Sequence, residues 1–120
     1  MKRLRQISLA SLVVVIALIA ARYVRHQRDR QLALPVIAEV GGKIGSIPVE
    51  PFGTDYYISF RDRSLTRRDV ERLVAIEPLC SRNNVLINLE HANISPDDFR
   101  RLNQILPSAH FRNPIGHKEN

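Results

Sequence analysis

Two stretches of this chain read as one: Ile58–Pro78, ISFRDRSLTRRDVERLVAIEP, and Ile87–Pro107, INLEHANISPDDFRRLNQILP, which begin 29 residues apart. Superposing them pairs Ile58 with Ile87, Phe60 with Leu89, Leu65 with Ile94, Thr66 with Ser95, and Asp69 with Asp98. Arg72 then meets Arg101, Leu73 meets Leu102, Ile76 meets Ile105, and Pro78 meets Pro107. Self-similarity at a period of roughly 20 to 50 residues marks a structural unit used more than once, each copy burying its apolar face against the next. Units of this kind commonly bind and rarely catalyse.

Within each copy the pattern predicts a strand and then a helix. Tyr56, Ile58 and Phe60 alternate with Tyr57, Ser59 and Arg61, and Val85, Ile87 and Leu89 alternate with Leu86, Asn88 and Glu90. A period of two in β-branched and aromatic residues is that of a strand with one buried face. Thr66 and Ser95 then read as N-caps, with Asp69 and Asp98 three residues on as short capping boxes and Pro96 at the first helical position. Leu65 and Ile94, just before the caps, are placed to staple against Val70 and Phe99. Val70, Leu73 and Val74 mark the buried stripe of one helix, and Phe99, Leu102, Ile105 and Leu106 that of the other. Pro78 and Pro107 are expected to stop both helices. Strand, helix and strand joined by short loops give a right-handed crossover and parallel neighbours, so the fold class is α/β. Registering the copies sets Tyr57 beside Leu86, Ser59 beside Asn88 and Arg61 beside Glu90 on the exposed face of the strands. These six are the candidate partner-binding residues.

Upstream, Ile7–Ala21 is apolar apart from Ser8 and Ser11. Fifteen helical residues reach about 22 Å against a hydrocarbon core of roughly 30 Å. Tyr23 and Val24, with Arg5 and Arg22 snorkelling toward the headgroups, lengthen the span to an adequate one. The rival reading is a cleaved signal peptide, since a basic start and a short apolar run ending in alanines fit that plan. Cleavage after Ala21 puts Ile19 third before the cut, and cleavage after Ala20 puts Leu18 there; neither is small, and arginine follows at once. A retained anchor is therefore favoured over secretion and over a buried soluble helix, and the expected location is a membrane crossed once. The basic residues flanking the span lean toward a cytoplasmic C-terminal domain.

The formal net charge is +6, and all of it lies in residues 1–30, where seven basic residues face the single acid Asp29. From Gln31 onward 11 basic residues balance 11 acidic ones. A nucleic-acid surface needs an unbalanced cluster on the folded part, so no nucleic-acid partner is expected. Arg22, Arg25, Arg28 and Arg30 are the candidates for facing anionic lipid, at about 1 kcal/mol each, with a solvated basic flank as the alternative. Arg22–Leu34 reads as a stalk prolonging the membrane helix as far as Pro35, whose predecessor is pushed out of helical angles. Pro35–Val40 adds a short turn, ended by Gly41 and Gly42 supplying left-handed geometry. Pro48, Pro51 and Gly53 confine Lys43–Val49 to an edge strand or loop. The organisation is then 1–24 membrane anchor, 25–42 basic stalk helix and Gly-Gly turn, 43–112 repeat domain and 113–120 polar tail.

Catalytic signals are weak. Cys80 is the sole cysteine, which excludes an internal disulfide and reads as a small hydrophobe. His91, His110 and His117 with Cys80 lack the close spacing of structural zinc ligands. Asp69 and the Asp97-Asp98 pair lie in first helical turns, where carboxylates complement the macrodipole. Nothing resembles a nucleophile elbow, a phosphate-cradling glycine loop or a metalloprotease helix. No catalytic residue, metal or cofactor is expected.

The patterns Ile87-x-Leu89-x-x-Ala92-x-Ile94 and Ile58-x-Phe60-x-x-Arg63-x-Leu65, each followed by a capped helix, resemble leucine-rich repeats of the longer ribonuclease-inhibitor type. With Lys2–Arg5, Ile7–Ala21, Arg22–Arg30 and Gly41-Gly42, the layout also resembles small bacterial membrane-anchored proteins carrying a few such repeats. The resemblance implies a short solenoid of two β-α repeats with parallel strands, set in a bacterial inner membrane and working through its strand face. Two features depart from it: Ala92 and Arg63 stand where the family places Asn, Cys or Thr, and polar Asn84 takes the place of the first leucine. Two copies are also fewer than the three or so a solenoid normally needs. The functional expectation is a non-catalytic, membrane-anchored interaction module whose partner is a protein or another copy of itself. The alternatives are a structural remnant and a small repeat domain released from a signal peptide.

Overall fold

Helix α1 runs from Lys2 to Val40 without a break in the computed structural model, which describes residues 2–49 and 54–112. The polar tail at 113–120 with His117, and Pro51 and Gly53, lie outside the described residues. At 1.5 Å per residue α1 is about 58 Å long, most of the 69 Å extent of the molecule. It is long and apolar enough to cross a membrane. Its two halves differ: Ser8–Arg25 is exposed throughout, whereas Asp29, Ala33, Ile37 and Val40 are buried. That spacing of four, four and three places them on one side of the helix.

The helix therefore does not end at Pro35, and residues 25–42 are not a stalk separate from the folded domain. Proline inside a helix removes the bond to the carbonyl four residues back and costs about 3 kcal/mol or more. Here Pro35 and Gln31 are both exposed, so water can serve the freed carbonyl. The packing of Ile37 and Val40 outweighs what remains. The helix closes as a Schellman motif, with Gly42 N–H donating to Ile37 O at 2.8 Å and Gly41 N–H to Ala38 O at 3.1 Å. Gly41 alone carries the left-handed backbone, at φ +90. Gly42 is glycine for another reason: a Cβ there would stand 2.5 Å from the Phe60 ring and 3.0 Å from Ile37 Cγ2.

Strand β1 (Lys43–Pro48) runs antiparallel to β2 (Thr54–Ser59), and β3 (Asn84–Asn88) and β4 (His110–Arg112) follow in parallel, giving an open four-stranded sheet of order β1-β2-β3-β4. Tyr56, Ile58, Phe60, Val85, Ile87 and Leu89 are buried on one face, in one cluster with α1 and the other helices. The connection from β2 to β3 is a broken helix: α2 (Arg67–Arg72), a 3-10 turn (Leu73–Ile76) and α3 (Glu77–Arg82). Pro78 does not stop it. It occupies the first turn of α3, where no backbone N–H is required. The tighter turn also takes Val74 off the buried stripe, leaving it 53% exposed, while Leu73, Ile76, Leu79 and Cys80 are enclosed. After β3 comes α4 (Pro96–Ile105), which does end before Pro107. Leu102 and Leu106 are buried, and Phe99 and Ile105 pack partly buried beside them.

The 29-residue offset recurs in the geometry. Asp62 and His91 both adopt left-handed φ, at 61 and 60, uncommon for residues other than glycine. Each bend closes on the next residue, with Arg63 N–H donating to Phe60 O at 3.0 Å and Ala92 N–H to Leu89 O at 3.0 Å. Ser64 and Asn93 then bridge in parallel. Asn93 N–H meets Arg63 O at 2.8 Å and Leu65 N–H meets Asn93 O at 2.9 Å. Backbone thus serves the bend where Arg63 and Ala92 offer no side-chain ladder. Across α2 and α4, Arg101 reaches Glu71 at 2.8 and 3.2 Å and Arg67 reaches Asp98 at 3.1 Å. The Arg101 hydrogen bond holds the Glu71 carboxyl below its ordinary value.

Both predicted caps form, but only the first is a reciprocal capping box; at the second, Asp98 accepts from Arg67 and not from the Ser95 N–H. Thr66 Oγ1 accepts from Asp69 N–H at 3.2 Å while Asp69 accepts from Thr66 N–H at 3.0 Å, and Ser95 Oγ accepts from Asp98 N–H at 3.1 Å. Ser95→Ala is expected to destabilise the folded part by about 0.5–2 kcal/mol. Chemical denaturation reads this directly, and an unchanged midpoint would mean that α4 does not depend on its cap.

Candidate functional site

The face of the sheet turned away from the helices is built in rows set by strand register. Tyr57 lies between Gly45 and Leu86, with His110 beyond; Ser59 lies between Lys43 and Asn88, with Arg112 beyond. Tyr57 is 39% exposed and Ile47, one row away, is 68% exposed. Leu86 and Ser59 are half-buried. Arg61 and Glu90 sit just past the ends of β2 and β3. Among the described residues no ion pair joins them, and Arg61 approaches Asp62 instead, at 3.9 Å.

Asn88 has a role other than contact with a partner. It is buried, its Nδ2 donates to Tyr57 Oη at 2.8 Å and its Oδ1 accepts from Glu90 N–H at 2.9 Å. Both ends of the amide are engaged within the face, so Asn88 positions Tyr57. Ser59, 29 residues earlier, accepts in the same way from Arg61 N–H at 3.3 Å. What this face leaves open to solvent is Tyr57, Arg61 and part of Leu86 and Glu90, together with Ile47, which the alternation pattern passed over because Pro48 obscured the strand.

A second constellation lies where α1 joins the domain. Asp29, with its side chain only 4% exposed, receives Arg82 Nη1 on both carboxylate oxygens, at 2.9 and 2.8 Å. His26 Nε2 hydrogen-bonds Tyr56 Oη, and burial raises the Tyr56 phenol while the nearby Arg30 charge pulls it the other way. Arg72 pairs with Glu39 near the end of α1. Of the four basic residues expected at the lipid, Arg22, Arg25 and Arg28 are exposed. Arg30 is half-buried, with its Nε enclosed and lacking a hydrogen-bond partner in the structure. Composition held one hint of the junction: Asp29 is the only acid among the first 30 residues. Its partner stands 53 residues away, beyond any local pattern.

Cys80 lies on the buried side of α3, and burial, with the Glu77 charge, pushes its thiol up to about 12. A thiol of this kind is inert as a nucleophile. Maleimide is expected to leave native Cys80 unmodified near neutral pH and to react only with unfolding; labelling as fast as a free thiol would show that the α3 side opens.

Comparison of the chain with protein-family models, with curated proteins and with solved structures gave no match.

Proposed function

We propose that the chain is a non-catalytic, membrane-anchored interaction module of two leucine-rich-repeat-like units, with α1 spanning the membrane once and the strand face meeting a protein partner or a second copy. The observation that carries this reading is the division of α1, exposed and mostly apolar over Ser8–Val24 and packed into the domain from Asp29 to Val40. Exposure of some fifteen consecutive, mostly apolar positions is costly in water and ordinary in lipid. The bends and caps that recur at the 29-residue offset, with the Ser64–Asn93 bridge that joins the two copies, support the repeat reading. The half-exposed Tyr57, held by Asn88 in a row open to solvent, supports the use of that face.

A photo-crosslinking amino acid at position 57, compared with one at exposed Arg68 on the helix side, tests the face in intact membranes. A discrete adduct from position 57 alone is the expected result, and identical patterns from both positions would sink it. N-terminal sequencing of the membrane-bound protein tests the anchor. A mature terminus at Arg22 would favour the released repeat domain instead, since the docked stripe Asp29–Val40 lies downstream of that cut.

A further inference from the structure

A cleft of about 790 Å³ opens where α1 leaves the folded layer, between its Val15–His26 stretch and the Arg82-Asn83 corner that leads into β3. Its lining changes character along the helix. Val15, Leu18 and Ile19 form one end, and Arg22, Arg25 and Arg82 gather toward the other. Asp29 also lines the cleft, but a single guanidinium nitrogen of Arg82 already occupies both of its oxygens. The Arg82 side chain remains 47% exposed, with its other nitrogens available. The lining thus holds three guanidinium groups and one carboxylate, which Arg82 already engages.

We propose that this cleft binds one anionic phospholipid from the leaflet beside the folded domain, with its phosphate held by Arg22, Arg25 and Arg82 and an acyl chain laid along Val15, Leu18 and Ile19. The inference rests on reading the first half of α1 as membrane-embedded. Planar guanidinium forks suit phosphate oxygens. The order of the lining, apolar toward the centre of the span and cationic at its end, is the order of a lipid along the membrane normal. A soluble phosphate would leave the apolar end uncovered. Arg82 belongs to the folded domain, so the bound lipid also sets how the domain sits on the bilayer. This goes beyond diffuse attraction of juxtamembrane arginines, because it distinguishes Arg22 and Arg25, which line the cleft, from Arg28, which does not.

The full chain, reconstituted into mixed phosphatidylglycerol and phosphatidylcholine bilayers and released into mild detergent, is examined by native mass spectrometry for retained lipid. One phosphatidylglycerol per chain is expected, with Arg25→Gln lowering its retention roughly fivefold and Arg28→Gln, the same charge change outside the cleft, leaving it unaltered. Asp29→Asn combined with Arg82→Gln keeps the net charge and a neutral hydrogen-bonded pair, and should also lose the lipid. Leu18→Trp, far from the domain core, should do so by filling the apolar end. Equal losses from Arg25→Gln and Arg28→Gln would reduce the effect to diffuse electrostatics and overturn the proposal. So would retention that survives both the Asp29/Arg82 and Leu18 variants, or displacement by excess glycerol phosphate. Flotation with phosphatidylcholine vesicles separates the two readings: a chain that floats yet keeps no phosphatidylglycerol removes this inference alone, while one that never floats removes the anchor and the inference together.

Discussion

A fragment beginning at Lys43 is expected to be unfolded, while one beginning at Arg22 melts cooperatively. The first fragment retains every strand and both capped helices, yet it loses Ala33, Ile37 and Val40, which are buried in the same cluster as Phe60 and Ile58. Ile37→Ala alone should cost about 2–5 kcal/mol, and full burial of each large apolar side chain is worth about 1.5–3 kcal/mol. A small domain holds only about 5–15 kcal/mol in total. Removing the whole docked stripe therefore consumes the margin. A fragment beginning at Gln31 should fall between the two: it keeps the apolar stripe and loses Asp29, leaving Arg82 without its carboxylate. Circular dichroism during urea denaturation ranks the three, and a cooperative transition in the Lys43 fragment would show that α1 rests on a domain complete without it. Self-association is expected to grow from the Arg22 to the Gln31 to the Lys43 fragment, because each cut into α1 uncovers more of the apolar cluster it covers, while the edges stay the same and are blunted by the three-residue β4 and the proline that ends β1.

Arg82→Ala is expected to destabilise the protein by about 2–4 kcal/mol, somewhat below the 3–5 typical when a buried ion pair loses one partner, because Arg82 is itself half exposed. The penalty comes from Asp29, whose carboxylate is left enclosed without its cation. Asp29→Asn should cost distinctly less than Arg82→Ala, since the released guanidinium can turn to water and the amide still accepts a hydrogen bond. Adding Asp29→Asn to Arg82→Ala should recover part of the loss. A double-mutant cycle on melting in detergent decides this. Equal costs for the two single variants would mean that the pair contributes through packing of the Arg82 stem rather than through charge.

Where sequence reading succeeded, the signal was local. Alternation over five or six residues identified β2 and β3 and their buried face, the caps at Thr66 and Ser95 marked two helix starts, and the 29-residue offset set the register of Tyr57 against Leu86. Where it failed, a strong local marker concealed a distant contact. Pro35 and Pro78 both read as stops, although one is carried on the solvent side of a packed helix and the other opens a new turn. The stripe Ala33, Val36, Ile37, Val40 has ordinary helical spacing, and only the expectation of a break at Pro35 hid it. Asn88 read as an exposed polar residue because period two places it on the open face; the hydroxyl that occupies it belongs to the neighbouring strand.

By itself the sequence determined the apolar N-terminal helix, the strand-and-helix order, the helix starts and the parallel pairing of β2 with β3, since each follows from backbone preferences and periodicities spanning a few residues. Only the tertiary structure decided that the same helix continues into the domain core, that Gly42 leaves room for Phe60, and that Asp29 and Arg82 form the joint. These depend on which surfaces meet, and the free energy of such meetings comes from burial and desolvation summed over residues far apart in the chain.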